Sequence, residues 1–539
     1  MLGAQCLSCK KRRVRCDSTK PTCNRCPRDG IDCPGYQKPT TWIVHDQSSK
    51  CLTRSRHRPL ESSQKSRAIP VRPKHSKQPA QVASCANSSR NTANLQLPPN
   101  LAWVPSDEFT LQTLDSVIYY NEHIAPFVVP DVSVMEWSLI QLKDWQDEPN
   151  LIKQVHIMTC VQHKAVRCNK DLERDLEVCK QRQHIFELMN KHLSHTTTQT
   201  SEETLNAILM LLVADVMFSA KNTWYAHVHG AATIIELRGG WQKYIESTCD
   251  NQYSASFFLS IAVMGDTTTN SRLLGQSPSW PYILAEEFPD WDEIGVITCF
   301  PCPDVLFQAI SRINRLRAAL YRKDTTISTS RDPDHDHSIH QLRAILTRIT
   351  SFSPSAWLSH LVSTASFNLS SPDWLALIQC YHAATLLYCI RTLVLESSLR
   401  NDERLSPLLE DIFGTSVAEA VRIGAVRAIF QYLGCTTSSS SGTGLLPRSS
   451  AWNAVVWPLV IAGYEAGGSG LALEEGRGMR NFVAGKMDEL ALLLGTRSLL
   501  DARTVLEGCW ESRRSGGGRG LDGGWTWDET FAERCVFIF

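Results

Sequence analysis

The chain has 539 residues, 43% of them apolar, which is far more than a bare binding module needs and predicts one large or two medium domains beside any small one. Its 55 Lys+Arg balance 55 Asp+Glu, but residues 1–100 carry 19 and 5 while the remainder carries 36 and 50. A head of net +14 on a body of net −14 fits nucleic-acid binding at one end, and no stretch approaches the roughly 18 apolar residues of a membrane span.

The first element is a cysteine module. Cys6, Cys9, Cys16, Cys23, Cys26 and Cys33 follow the pattern C-x2-C-x6-C-x6-C-x2-C-x6-C, two copies of one unit. A C-x2-C pair at the start of a helical turn aims two sulfurs at one point, which suits tetrahedral zinc. Two separate four-thiolate sites need eight cysteines, so six close the count only if two thiolates bridge two metals. A disulfide framework also favours even cysteine counts. It is disfavoured here because Met1–Gln5 has neither the charged nor the apolar part of a secretory leader. Between Cys9 and Cys16 lies Lys10-Lys11-Arg12-Arg13-Val14-Arg15, five basic residues in six. Charges packed this densely need an anionic partner, and DNA phosphate is the natural one. Lys or Arg at a helix end also reaches guanine O6 and N7 in the major groove. A nuclear-import signal or a solvated face is the plainer alternative for such a run.

Six cysteines in this register, the basic insert and Pro21 in the loop before the fourth cysteine resemble the fungal binuclear zinc-cluster (Zn2Cys6) regulators. The resemblance implies two Zn2+ bridged by Cys6 and Cys23, with Cys9 and Cys16 completing one site and Cys26 and Cys33 the other. It also implies a short helix reading a CGG triplet of double-stranded DNA, with Arg13 as main base reader and Arg12 as its helper. Lys10, Lys11, Arg15, Lys20 and Arg25 are then phosphate contacts. Many members carry Lys where this chain has Arg13.

Pro34-Gly35-Tyr36 closes the module, predicting a DNA-binding domain over residues 1–40. Residues 41–104 are rich in Ser, Pro, Arg and Lys and predict a flexible basic linker, too poor in apolar groups to offset ordering entropy. No heptad pattern occurs between residues 37 and 105. A monomeric reader and a dimer formed through the large domain both stay open.

Residues 105–539 predict an all-α regulatory body. Asp107 is a cap for a helix carrying Leu111, Leu114, Ile118 and Tyr119, and Pro149-Asn150 opens another through Val166. Ser201 caps an apolar helix over Leu205–Val216, and Trp224–Arg238 ends at Gly239-Gly240. Trp224, His227, Gly230-Ala231 and Arg238-Gly239-Gly240 resemble a signature of the fungal-specific transcription factor domain, as does Trp457-Pro458-Leu459 with Ile461-Ala462-Gly463 and Glu465-Ala466. These landmarks identify a domain and are read as caps and core packing. Ala451–Tyr464 predicts a buried helix, and Trp525, Trp527 and Phe531 a segment docking back on the body. Residues 324–340, 436–450 and 512–524 predict surface loops.

Other constellations are weak. Cys299 and Cys302 form a C-x2-C with no second pair, and Asp334-His335-Asp336-His337 with His340 is expected in a solvated loop. No P-loop and no G-x-S-x-G elbow occurs, so no enzyme is expected. The chain is expected to be a nuclear, zinc-dependent regulator of RNA polymerase II genes at CGG-type sites, governing a biosynthetic gene cluster or a drug or nutrient response. Its body would answer to a small-molecule or protein effector, with no membrane partner. The rival is a zinc-stabilised interaction protein that binds RNA or an acidic protein surface without reading bases.

Overall fold

The computed structural model describes residues 6–33 and 108–537, with breaks at 13, 18, 20–22 and 32 in the first stretch and at 129–138, 146, 221–222, 299, 326–332, 365–368, 370–371, 435–453, 469, 517, 519 and 521–523 in the second. The expected linker, the Asp107 cap and the stretch 436–450 lie outside these residues.

Helices carry the whole architecture, and no β-strand occurs among the described residues. Two short ones, α1 (Leu7–Arg12) and α2 (Arg25–Arg28), belong to the cysteine module. The body opens with α3 (Glu108–His123), α4 (Asn150–Arg167), α5 (Leu176–Ser194), α6 (Glu202–Phe218) and α7 (Thr223–Leu237). Ser201 Oγ accepts the Thr204 N–H at 3.2 Å at the start of α6, and Glu202 and Glu203 sit in its first turn, where the helix dipole favours acids. Leu205, Ile208, Leu211 and Leu212 are fully buried along it, and α6 packs against α4 and α7. After α7 the backbone turns at Gly239 and Gly240, whose φ values of 117° and 92° suit glycine alone.

Next come α8 (Cys249–Thr267), α9 (Trp280–Glu287), α10 (Asp304–Thr325), α11 (Pro333–Ser351), α12 (Pro354–Thr364) and α13 (Pro372–Cys389). In α8, Gly265 lets the Trp224 indole approach: an added Cβ would lie 2.4–3.0 Å from three ring atoms. Gly265→Ala is therefore expected to destabilise the fold by about 1–3 kcal/mol through overpacking, despite alanine's better helix propensity. The urea midpoint is the check, and an unchanged or raised midpoint would refute the close-packing account. Helix α11 corrects an expectation, because residues 333–340 are helix and not loop. Pro333 occupies the first helical position, where a missing N–H costs nothing, so it starts the helix instead of breaking one.

A second correction concerns α13. Together with a π-helical turn over Ile390–Leu395 it makes Asp373–Leu395 long and apolar enough to cross a membrane, which the sequence expectation missed. Its most apolar window is 83% buried, packed against α10, α11, α12 and further helices of the body. Here the apolar helix is the centre of a protein core.

The chain ends in α14 (Leu405–Phe413), α15 (Ala418–Tyr432), α16 (Val456–Glu465), α17 (Leu473–Leu494) and α18 (Ser498–Ser515). Every residue of α16 is buried, Glu465 included. Its carboxylate accepts Arg391 Nε and Nη2 at 2.8 and 2.7 Å and Arg422 Nη1 at 2.6 Å. The expected loop over 512–524 begins later than predicted, since α18 runs to Ser515. Trp527 and Phe531 are buried, 2% and 1% exposed, while Trp525 is partly open. Asp528 Oδ1 accepts the Ser271 N–H at 3.0 Å and Arg317 Nη2 at 3.1 Å. Cys535 and Val536 donate their N–H groups to the Thr268 and Ala220 carbonyls.

Candidate metal centre and nucleic-acid interface

Each half of the cysteine module uses the same local device. Cys6 precedes α1 and Cys9 lies in its first turn; Cys23 precedes α2 and Cys26 lies in it. Cys6 N–H points at Cys16 Sγ (3.4 Å) and Cys23 N–H at Cys33 Sγ (3.3 Å), so the two halves share their backbone-to-sulfur contacts as well as their spacing. Two groups of four cysteines result, Cys6–Cys9–Cys16–Cys23 and Cys6–Cys23–Cys26–Cys33, with all sulfurs of a group within 4.8 Å of one another. The groups share Cys6 and Cys23.

Sulfur separations test what this set can hold. Cys6–Cys23, Cys6–Cys26 and Cys9–Cys23 lie 3.5, 3.7 and 3.8 Å apart. A tetrahedron with 2.3 Å zinc–sulfur bonds places its sulfurs about 3.8 Å apart. Disulfide bonds need about 2.05 Å, and all six cysteines are free thiols. Burial pushes the Cys6, Cys9 and Cys26 thiols up to about 12. Adjoining buried sulfurs of this kind ionise only around cations, and thiolate is the form that binds zinc. The donor set fits two zinc ions that share two ligands. Cys6, Cys9, Cys23 and Cys26 are also the buried centre of the module, and among the described residues Val14, Cys16 and Cys33 pack on them.

The basic residues divide. Arg12, expected to help read bases, pairs with Asp29 just after α2, and Arg25 Nε lies 3.6 Å from the same carboxylate. Arg12 holds the Asp29 carboxyl below its ordinary value, and this exposed pair braces α1 against α2. Arg25 also donates from Nη1 to the Arg15 carbonyl at 3.2 Å. The Arg15 side chain is exposed. Lys10 and Lys11 lie on α1, but their side chains, with Arg13, Lys20 and Pro21, fall outside the described residues. Asp17 was not anticipated: its Oδ2 accepts the Asn24 N–H at 2.9 Å, tying the central loop to the start of α2. An Asp seven residues before an Asn carries no sequence signal for such a contact.

In the body, His227 Nε2 lies 2.7 Å from Asp215 Oδ2, and Arg182 Nη1 donates to Asp215 Oδ1 at 2.9 Å. Burial pushes the Asp215 carboxyl up, but Arg182 and His227 together bring it down to about 2. Only 2% of His227 is exposed, so it is a packing residue bonded through Nε2, while His229 on the same helix faces outward. Cys302 is buried and its carbonyl accepts the Trp291 indole N–H at 2.9 Å; its expected companion Cys299 lies outside the described residues. His337 bonds to Gln341 on α11. Among the described residues, groups of three or more metal-binding side chains occur only in the cysteine module.

A compact set of six thiols beside a basic helix, carried by an all-helical body, defines the class: a zinc-cluster DNA-binding protein with an attached regulatory domain. The Fungal Zn(2)-Cys(6) binuclear cluster domain matches residues 4–43 and the Fungal specific transcription factor domain matches residues 160–537. The chain belongs to this family of fungal transcription factors, DNA-binding regulators whose cluster domain binds two zinc ions. Over 519 residues it is 23% identical to the phomenoic acid biosynthesis cluster-specific transcriptional regulator of Leptosphaeria maculans, covering 94% of this chain and 86% of that protein. A 32-residue stretch is 56% identical to white-opaque regulator 2 of Candida albicans, but spans 6% of this chain and 7% of that one. No solved structure matches the chain.

Proposed function

We propose that the protein acts in the nucleus on RNA polymerase II genes by reading CGG-containing double-stranded DNA through residues 1–40. Residues 41–104 then serve as linker and 105–539 as the regulatory body. The observation that carries this reading is the pair of four-cysteine groups sharing Cys6 and Cys23, set against the basic helix α1. In it, Cys6 and Cys23 bridge the two zinc ions, Cys9 and Cys16 complete one, and Cys26 and Cys33 the other. Arg13 reads the base edge. Lys10, Lys11, Arg15, Lys20 and Arg25 contact phosphate, and Arg12, held by Asp29, positions α1 rather than reading. Similarity to a biosynthesis cluster-specific regulator supports a biosynthetic gene cluster as the target.

The test is a random-oligonucleotide selection with the zinc-loaded full chain at physiological salt, beside a chelated control. Zinc-dependent enrichment of CGG is expected, and Arg13→Ala should lose about 1–3 kcal/mol of discrimination at one base pair. Salt-sensitive binding that enriches no sequence would favour the interaction-protein reading instead, since phosphate contacts alone carry no sequence information.

A further inference from the structure

We propose that the groove between α9, α10 and α11 binds a small organic anion, a carboxylate or phosphate ester with an apolar body. Its dimensions come from residue size. Ala318, Ala319 and Ala344 hold the walls back, leaving a cavity of about 680 Å³, within the range of small-molecule sites. Leu274, Leu316 and Ile345, each nearly fully buried, supply apolar lining.

The charge on the walls is one-sided. Arg312, Arg315, Ala319 and Arg322 recur at helical spacing on one face of α10, so three guanidiniums line the same side. A second depression of about 390 Å³ shares Arg312 and Ala344 and adds Arg343, Arg348 and His340. Among the described residues lining the two, five are arginines and one is a carboxylate, Glu286. That carboxylate is already gripped in a fork by Arg312, from Nε at 2.9 Å and Nη2 at 2.6 Å. Arg343 has Asp411, and Arg322 donates to the Gly275 carbonyl at 2.7 Å. Arg315 makes no hydrogen bond or ion pair among the described residues. Burial and then the neighbouring Arg312 pull the Arg348 guanidinium below its ordinary value, as expected where like charges are crowded.

Guanidinium forks match carboxylate and phosphate in two-bond geometry, which lysines cannot do. A like-charged cluster over an apolar floor is matched by a ligand whose anionic head meets the arginines and whose body covers the leucines. Such a ligand would touch α9, α10 and α11 at once, which gives it the means to set their relative positions. That effector role rests on the regulatory function proposed above; the binding itself does not.

Titration calorimetry on the full chain at fixed ionic strength, with inorganic phosphate, citrate and decanoate as separate probes, tests the site. Saturable binding of at least one probe is expected, weakened at least tenfold in Arg315→Ala/Arg322→Ala and unchanged in a control, Arg174→Ala, on an exposed arginine elsewhere. Ala319→Phe, which fills the groove and removes no charge, should weaken binding equally. Phosphate bound without either carboxylate would assign a phosphate ester, and decanoate bound best would assign an apolar carboxylate. No saturable binding by any probe, or equal affinity in the double variant, overturns the proposal. DNA selection with that double variant stays as in the wild type, so failure of the DNA reading is seen separately.

Discussion

Cys23→Ser is expected to strip both zinc ions from the protein, whereas Cys33→Ser is expected to leave about one. Cys23 belongs to both four-cysteine groups and Cys33 to one. Removing a shared thiolate takes a ligand from each metal, and among the described residues the module's buried centre is its own cysteines. For such small domains the metal-binding energy is folding energy, on the order of 10–16 kcal/mol for a structural zinc. Atomic emission on desalted protein gives the stoichiometry, expected at two zinc ions for the wild type and near none for Cys6→Ser or Cys23→Ser. Sequence-selective DNA binding should vanish in step. A Cys23→Ser protein that retained two ions would remove Cys23 from the bridging role.

The second large effect lies far from the metal. Glu465→Ala should cost about 3–5 kcal/mol, because it leaves the buried Arg391 and Arg422 without the carboxylate that joins them. Glu396 and Glu419 remain as partial partners, so the loss is not the full cost of two isolated charges. Burial pushes the Glu465 carboxyl up, and Arg391 and Arg422 overcome this and hold it at about 2. A carboxyl whose folded value lies below its unfolded one, 4.5 for this group, stabilises the protein above that value. The stabilisation drains away as pH falls toward 2. Asp215, also held at about 2 beside Arg182 and His227, acts with the same sign. Urea unfolding at stepped pH should therefore show wild-type stability falling between about pH 5 and pH 2, with a shallower fall in Glu465→Ala. Equal slopes in the two proteins would mean that Glu465 is not ionised against its arginines.

The cysteine module was legible because its information is local: spacing, basic insert and helix starts all sit within 33 residues. The Ser201 cap and the Gly239-Gly240 turn were legible for the same reason, each being a residue type required by backbone conformation at its own position. What sequence reading missed is long-range pairing. Glu465 reads as the polar end of an apolar helix, yet it is 1% exposed because arginines 43 and 74 residues away converge on it. His227 reads as a packed polar tip, which holds, but Asp215 as its partner follows only once α6 and α7 pack together. Arg12 reads as a helper of Arg13, and its pairing with Asp29, 17 residues on, follows only once α1 and α2 are placed. Helix α11 differs again: its first turn is polar and opens on Pro333, a residue type that starts a helix as readily as it ends one.

Arg317 has a consequence for how the protein is made. Its guanidinium, 3% exposed, depends on Asp528, which lies 211 residues later in the chain. At roughly 5–20 residues per second a ribosome needs on the order of ten to forty seconds to supply that partner. Until then α8 and α10 carry a cation that their finished packing would bury and an apolar surface that Trp527 has yet to cover. A chain cut before residue 525 would lack both Asp528 and Trp527, and is expected to leave the Arg317 guanidinium and the surface around Thr267 uncovered.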